Sequence, residues 1–257
     1  MIIRKNPDNF ILINQHDHAH ISGEMARHWQ AAYFLSEERK ESVLTAIYQH
    51  DRAWINPDAA PIWNDQVQAP YSFIDFPTAL KVVHYQAGIN QVATTDTYAA
   101  LLNSLHYTTF PQLASSDFGQ TFLATENKRQ TALKDTLGLQ TNAAAEILEF
   151  HLQLLKFCDN LSIYLCINEP GVKKAAEHPW FRAGIPDSEN FTFTQGEKIQ
   201  ATWLSSTQVQ VSPFPFAGAF TVSVPYKKLS AAGIAQHGLT AAFEGAQPAT
   251  YEVTLLG

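Results

Sequence analysis

Ionisable side chains stand where apolar ones are expected at several places in this chain. His18, the pair His50-Asp51, His84, His106 and Asp159 each lie on a helical stripe that is otherwise hydrophobic. A polar group buried alone in this way costs free energy unless it is paired. Several such groups together imply a shared partner, and the partner that suits imidazoles and carboxylates at once is a metal ion.

The stripes follow from helical spacing. His18, Ile21, Met25 and Trp29 share one face of a first helix, whereas His16 and His20 lie on another with Glu24 and Arg27, a solvated pattern. Of the three histidines in QHDHAH, His18 is therefore expected to point inward. Val43, Ile47, His50, Asp51 and Trp54 form the stripe of a second helix. Leu148, Leu152, Leu155, Asp159 and Ile163 do so on a late one. His84 sits with Leu80, Val83 and Ala87, and His106 with Leu102 and Leu105. Each alone has a plainer reading, a core histidine bonded to a carbonyl or an aspartate pairing two helices. The tandem His50-Asp51 is the sharpest element. Neighbours on a helix diverge by about 100°, so both reach inward only if they border one cavity.

These groups need helices to carry them. Periodicity predicts helices over residues 16–34, 37–54, 75–92, 96–106, 122–137 and 142–166, with a long proline-containing loop over 56–72. MIIRK and FILIN flank Asn6-Pro7-Asp8-Asn9 as a short hairpin. After Pro186 the period changes to two. NFTFTQ, KIQATWLS, QVQVSPFPF, FTVSVPYKKL and TYEVTLL read as short antiparallel strands. The expected fold class is mainly α: a helical metal-binding domain over 14–186, with residues 1–13 and 187–257 forming a small antiparallel β appendage packed on it as one structural unit.

Composition limits the alternatives. The 257 residues are 46% hydrophobic and 16% charged, enough for a full core. A net charge of -7 with no basic run disfavours a nucleic-acid partner. No apolar stretch approaches the roughly 18 residues of a membrane span, and the N-terminal stretch lacks the pattern of a signal peptide. Cys158 and Cys166 lack CxxC spacing and read as buried thiols of a reducing compartment. A cytoplasmic location is the expectation. Neither a phosphate-binding glycine loop, nor GxSxG, nor HExxH occurs.

The order His18, His50-Asp51, Asp159 resembles the signature of the His-Asp (HD) superfamily of metal-dependent phosphohydrolases, over about residues 14–168. Ser22-Gly23 and Ala26 after the first histidine look similar as well, as small residues that allow close helix packing. QHDHAHISGEMARHW, HDRAWINPDAAP and SLHYTTF also resemble a bacterial family known only as a domain of unknown function. The HD resemblance implies an HD-type bundle in which His18, His50, Asp51 and Asp159 hold one ion. His84 and His106 complete a second, Asp51 bridges, and Asp51, His84 and His106 serve catalysis. Such ligands suit Fe, Mn or Zn better than Ca. The implied function is hydrolysis of a small phosphoester or nucleotide by a metal-activated water. A di-iron oxygenase and a non-enzymatic metal- or ligand-binding regulatory module are the alternatives. One departure is Ile55, where many single-metal members carry a lysine; Arg52, Lys81 and Arg27 are the candidate replacements.

Other residues read more simply. Trp29, Trp54 and Trp63 are core or pocket wall. Gln15 and Asp17 are outer groups able to orient a ligand imidazole, or simply first-turn residues. Asp58 is a turn residue, Asp75 an N-cap, and Glu126-Asn127-Lys128-Arg129 a solvated face. An exposed strand edge offers a route to a homodimer.

Overall fold

The computed structural model describes Met1–Gly257. The chain opens with a hairpin, β1 (Ile2–Lys5) and β2 (Asn9–Ile13), and enters α1 (Gln15–Arg27) directly. Then come α2 (Lys40–Gln49), a 3-10 turn at Arg52–Trp54, the short α3 (Ile55–Ala59), and a two-stranded ribbon of β3 (Trp63–Asn64) and β4 (Ala69–Pro70). Four long helices follow: α4 (Thr78–Ala93), α5 (Thr97–Thr108), α6 (Asp117–Thr136) and α7 (Asn142–Ile167). The last part holds β5 (Gln200–Ser205), β6 (Gln208–Ser212), β7 (Phe220–Ser230), α8 (Ala231–His237), α9 (Leu239–Gly245) and β8 (Pro248–Leu256).

Sequence-local capping explains where three of the long helices begin. Asp96, Ser116 and Thr141 each accept a backbone N–H three residues on, at 2.8, 3.1 and 3.2 Å. Helix α7 is the axis of the molecule. From Leu148 onward most of its residues are buried, among them Leu154, Leu155, Phe157, Leu161 and Leu165 with no exposed surface or almost none. Each such side chain contributes roughly 1.5–3 kcal/mol. Its C-terminus is closed by Arg4 of β1, whose guanidinium donates to the carbonyls of Cys166 (3.2 Å) and Asn168 (3.0 Å). A cation at that end also meets the negative pole of the helix.

The expectation of a mainly α bundle with a small antiparallel appendage is corrected by the sheet. It has six strands in the order β1-β2-β7-β8-β6-β5, is mixed, and curls into a half-barrel, so the fold is α/β. β7 spans eleven residues and pairs with both β2 and β8. β8 lies antiparallel to β7 but parallel to β6, with Gln208 opposite Thr254. Alternation within each strand is a local property; the pairing of the chain's two ends and the insertion of β8 are not. NFTFTQ forms 3-10 turns instead of a strand, and α8 and α9 fill the stretch between the last two strands. The loop over 56–72 contains α3 and the β3–β4 ribbon. One apolar cluster of 51 buried residues joins α1, α2, α4, α5 and α7 to the sheet.

Several local readings also change. Asp58 is buried, accepts the Gln15 N–H at 2.6 Å and lies 2.7 Å from the Met1 nitrogen, so it anchors the start of α1. Asp75 accepts from the backbone and hydroxyl of Ser72 and from Asn64, closing the loop before α4. Glu126 is fully buried, bonded to Ser104 (2.8 Å) and Arg129 (3.0 Å).

Helix α4 approaches the 3-10 turn after Asp51 so closely that a Cβ at Gly88 would stand 2.8 Å from the Ala53 nitrogen and 2.9 Å from its Cα. Backbone cannot give way as a side-chain tip can. Gly88→Ala is expected to lower stability by about 1–3 kcal/mol. The measurement is the urea midpoint at unchanged slope; a midpoint equal to wild type would contradict this packing.

Candidate metal centre

The site is assembled from α1, the end of α2, α5 and α7. His18 lies in the buried face of α1 and Asp159 midway along α7. Regular helix stops at Gln49, His50 caps it, and Asp51 leaves helical geometry at φ -107°, ψ 23°. That break lets adjacent residues face one space, which a continuous helix would forbid. The Tyr107 hydroxyl, from α5, donates to the His50 carbonyl and fixes the break.

The donors converge. His18 Nε2 is 2.9 Å from Asp51 Oδ2 and 3.6 Å from Asp159 Oδ1. His50 Nε2 is 3.4 Å from Asp159 Oδ1 and 3.9 Å from Asp51 Oδ2. Donors around one ion at about 2.1 Å would be spaced roughly 3.0–3.4 Å apart, and these imidazole–carboxylate distances bracket that spacing. His106 Nε2 stands on the far side, 3.4 Å from Asp159 Oδ2. Two groups meet the spacing for an ion: His18, His50 and Asp51, and His50, His106 and Asp159.

Proton accounting makes the same point. His50 Nδ1 is 2.7 Å from the Ile47 carbonyl, which only accepts, so Nδ1 carries hydrogen and the neutral ring turns a lone pair inward at Nε2. Ser162 Oγ donates to the Asp159 carbonyl (2.9 Å) and therefore accepts from His18 Nδ1 (2.6 Å). This leaves the His18 Nε2 lone pair facing Asp51. Ser22 Oγ, 2.7 Å from Ser162 Oγ, completes the support. Lone pairs opposed to carboxylates repel unless a positive charge stands between them, either a metal ion or an extra proton. His50 Nε2 accordingly has no hydrogen-bond partner within the protein.

The titration of the groups reflects this. Burial opposes charge on His50, but the charges of Asp51 and of Asp159 3.4 Å away outweigh it and push its pKa up to about 9. Burial alone would raise Asp159, yet the close His50 ring and the charges of the surrounding imidazoles hold it well below the carboxylate range. His106, buried and less directly paired, is pushed down to about 4 and stays neutral.

Above the donors is a pocket of about 210 Å³. Its base is Gln15, Asp51, His106 and Asp159; its walls are aromatic; no lysine or arginine lines it. Gln15 Nε2 donates to Asp51 Oδ2 at 2.9 Å. A larger groove of about 510 Å³ between the β1–β2 turn and α8 has no histidine, cysteine or carboxylate in its lining.

His84 does not join the cluster. It is half-buried on α4, and its stripe mates Leu80 and Val83 are 46% and 60% exposed. The buried face of that helix is Lys81, Val82, Tyr85, Gly88, Ile89 and Val92, and Tyr85 lines the pocket in the place expected of His84. The carboxylate between the two positions is Asp159, with Oδ1 toward His18 and His50 and Oδ2 toward His106, in place of Asp51. Asp17 is held by Asn14 at the start of α1, away from the donors. Arg52 is engaged by Gln91 and Gln49, and none of Arg52, Lys81 and Arg27 lines the pocket. Trp54 is pocket wall, Trp29 is core, and Trp63 packs edge-on to Phe10. Ser162 went unread, although Ser22 and Ser162 stand one helical turn beyond His18 and Asp159.

A raised histidine pKa adds stability that is complete below the unfolded value of 6.5 and is lost as pH rises through about 9. Metal-free protein is therefore expected to lose stability between pH 6.5 and 9, read as a falling melting temperature. Protein loaded with zinc should lack that slope, because the ion takes the neutral ring. Zinc binding should release about one proton below pH 9 and tighten about tenfold per pH unit there; calorimetry in buffers of different ionisation heat counts the proton. Ser162→Ala is expected to weaken zinc binding about 10- to 100-fold, read by competition with a chelator.

No curated protein and no solved structure matches the chain. One family model does, over residues 1–231, nearly the whole helical part and most of the sheet. It covers His18, His50, Asp51, His106 and Asp159 and carries no activity, and it does not show membership of the HD superfamily. The chain belongs to the family described as Protein of unknown function (DUF3891).

Proposed function

We propose that this protein is a metal-dependent hydrolase of a small molecule, with one divalent ion held by His18, His50, Asp51 and Asp159. The observation that carries the reading is the convergence of these residues at the floor of a pocket open to solvent, each of the two imidazoles lying 2.9–3.9 Å from both carboxylates. The order of the four residues along the chain, with His18 and Asp159 on packed helices and the His50-Asp51 doublet at the end of a third, also supports the resemblance to the HD superfamily. When bound, the ion would act as a Lewis acid, lowering the pKa of a coordinated water and polarising an oxygen of the substrate.

The protein's own groups have separate tasks. Ser162 and the Ile47 carbonyl hold the two imidazoles in the tautomer whose Nε2 faces inward. Gln15 holds Asp51 from the pocket side. His106 lines the pocket, is neutral at neutral pH, and is placed beside Asp159 to take up or return a proton at Nε2. The aromatic walls exclude bulk water and strengthen each electrostatic interaction within.

A second reading, an iron-dependent oxygenase, draws on the two imidazoles with carboxylates beneath apolar walls, a set that also suits iron and oxygen. Iron in the purified protein with substrate-dependent oxygen uptake would favour it. Turnover without oxygen, stimulated by Mn or Zn, favours hydrolysis.

Elemental analysis tests the site itself. Protein as purified is expected to hold about one equivalent of Fe, Mn or Zn. His18→Ala and Asp51→Ala should each reduce it to a tenth or less, while His84→Ala and His16→Ala leave it unchanged. Full occupancy in Asp51→Ala would overturn the assignment.

A further inference from the structure

The walls of the pocket narrow the substrate class. Trp54, Phe73, Tyr85, Phe110 and Trp180 line it, contributed by five separate segments. They brace one another edge to face: Phe73 against Trp180, Trp54 against Tyr85, and Tyr85 against Phe110, all with ring centroids 6.1 Å apart. Trp180 is 44% exposed whereas Asp51 and His106 are almost wholly buried, so the Phe73–Trp180 pair forms the outer wall and the acids the inner end.

The polar atoms offered to a ligand are neutral. Gln112 and Asn160 line the pocket as amides. Gln15 is oriented by Asp51: a carboxylate only accepts, so the amide nitrogen faces it and Oε1 faces away. That Oε1 is buried without a partner.

Charge and size add two restrictions. Asp51 and Asp159 together balance a divalent ion, and no lysine or arginine lines the pocket to offset further negative charge. A phosphate dianion entering this space would give up its hydration for no cation beyond an ion already balanced by two carboxylates. The volume of about 210 Å³ lies below the roughly 300–1,000 Å³ of sites for drug-sized ligands.

We infer that the pocket admits a small uncharged molecule with an aromatic or heteroaromatic ring, and that it rejects phosphorylated molecules. The inference rests on the pocket assigned above to a metal-dependent hydrolase and names its substrate class.

Benzamide and phenyl phosphate, which share one ring and differ in charge, form the test. Both are titrated calorimetrically into zinc-loaded and metal-free protein, with inorganic phosphate as a third probe. Benzamide is expected to saturate one site with a Kd in the millimolar range or below, and phenyl phosphate to bind at least about tenfold more weakly in both forms. Trp180→Ala, a change at a half-exposed position, should weaken benzamide about three- to tenfold. Phenyl phosphate or inorganic phosphate binding as tightly as benzamide overturns the inference, as does an absence of benzamide binding or indifference to Trp180→Ala. Metal loss with benzamide binding intact would defeat the hydrolase reading alone; retained metal with phosphate preferred would defeat this one alone.

Discussion

Two imidazole lone pairs face two carboxylates at the buried floor of the pocket, and the structure is organised around that opposition. Without a positive charge between them the four groups repel, and burial amplifies the repulsion because little solvent screens it. The arrangement persists because backbone groups and hydroxyls hold each ring from behind. The Ile47 carbonyl and Ser162 leave no freedom to turn the Nε2 atoms away. A proton on His50 relieves the conflict, and the same atoms are spaced to take a cation in its stead.

Holding such groups in register requires a stiff support, and α7 supplies it. The helix is packed on nearly all sides from Leu148 to Cys166, capped by Thr141 at one end and closed by Arg4 at the other. Arg4 belongs to β1, so the sheet is tied to the helix that bears Asp159. The half-barrel is thus part of the site's foundation. Fixing α2 so that it ends one residue before His50 is the second requirement, met by Tyr107 from α5 and by the close approach of Gly88 to Ala53 from α4.

Much of the site was legible because its residues break a pattern. A charged or imidazole group on an apolar stripe at helical spacing is visible in one dimension, and His18, His50, Asp51, His106 and Asp159 were found in that way. His84 shows where the method misleads. Leu80, Val83 and Ala87 look like a buried stripe, but α4 has two apolar faces and the other one, through Tyr85, is buried. Aromatic wall residues such as Phe110 and Trp180 carry no local sign of their role, since they meet only in three dimensions. The fold was read in pieces for a similar reason. Most helices and the later strands follow from periodicity and caps, whereas the six-stranded order depends on pairing between residues more than two hundred positions apart, as between β2 and β7.

The place of β8 bears on how the molecule comes into being. It lies between β7 and β6, which precede it in the chain, so those strands remain separate ribbons until residues beyond 248 emerge from the ribosome. Synthesis therefore passes through a stage in which every residue of the candidate metal centre is present but the sheet bracing α7 is in two halves with raw inner edges. Such edges invite mispairing, and closure of the gap by the latest strand to appear would make assembly of the half-barrel the slow step in maturation.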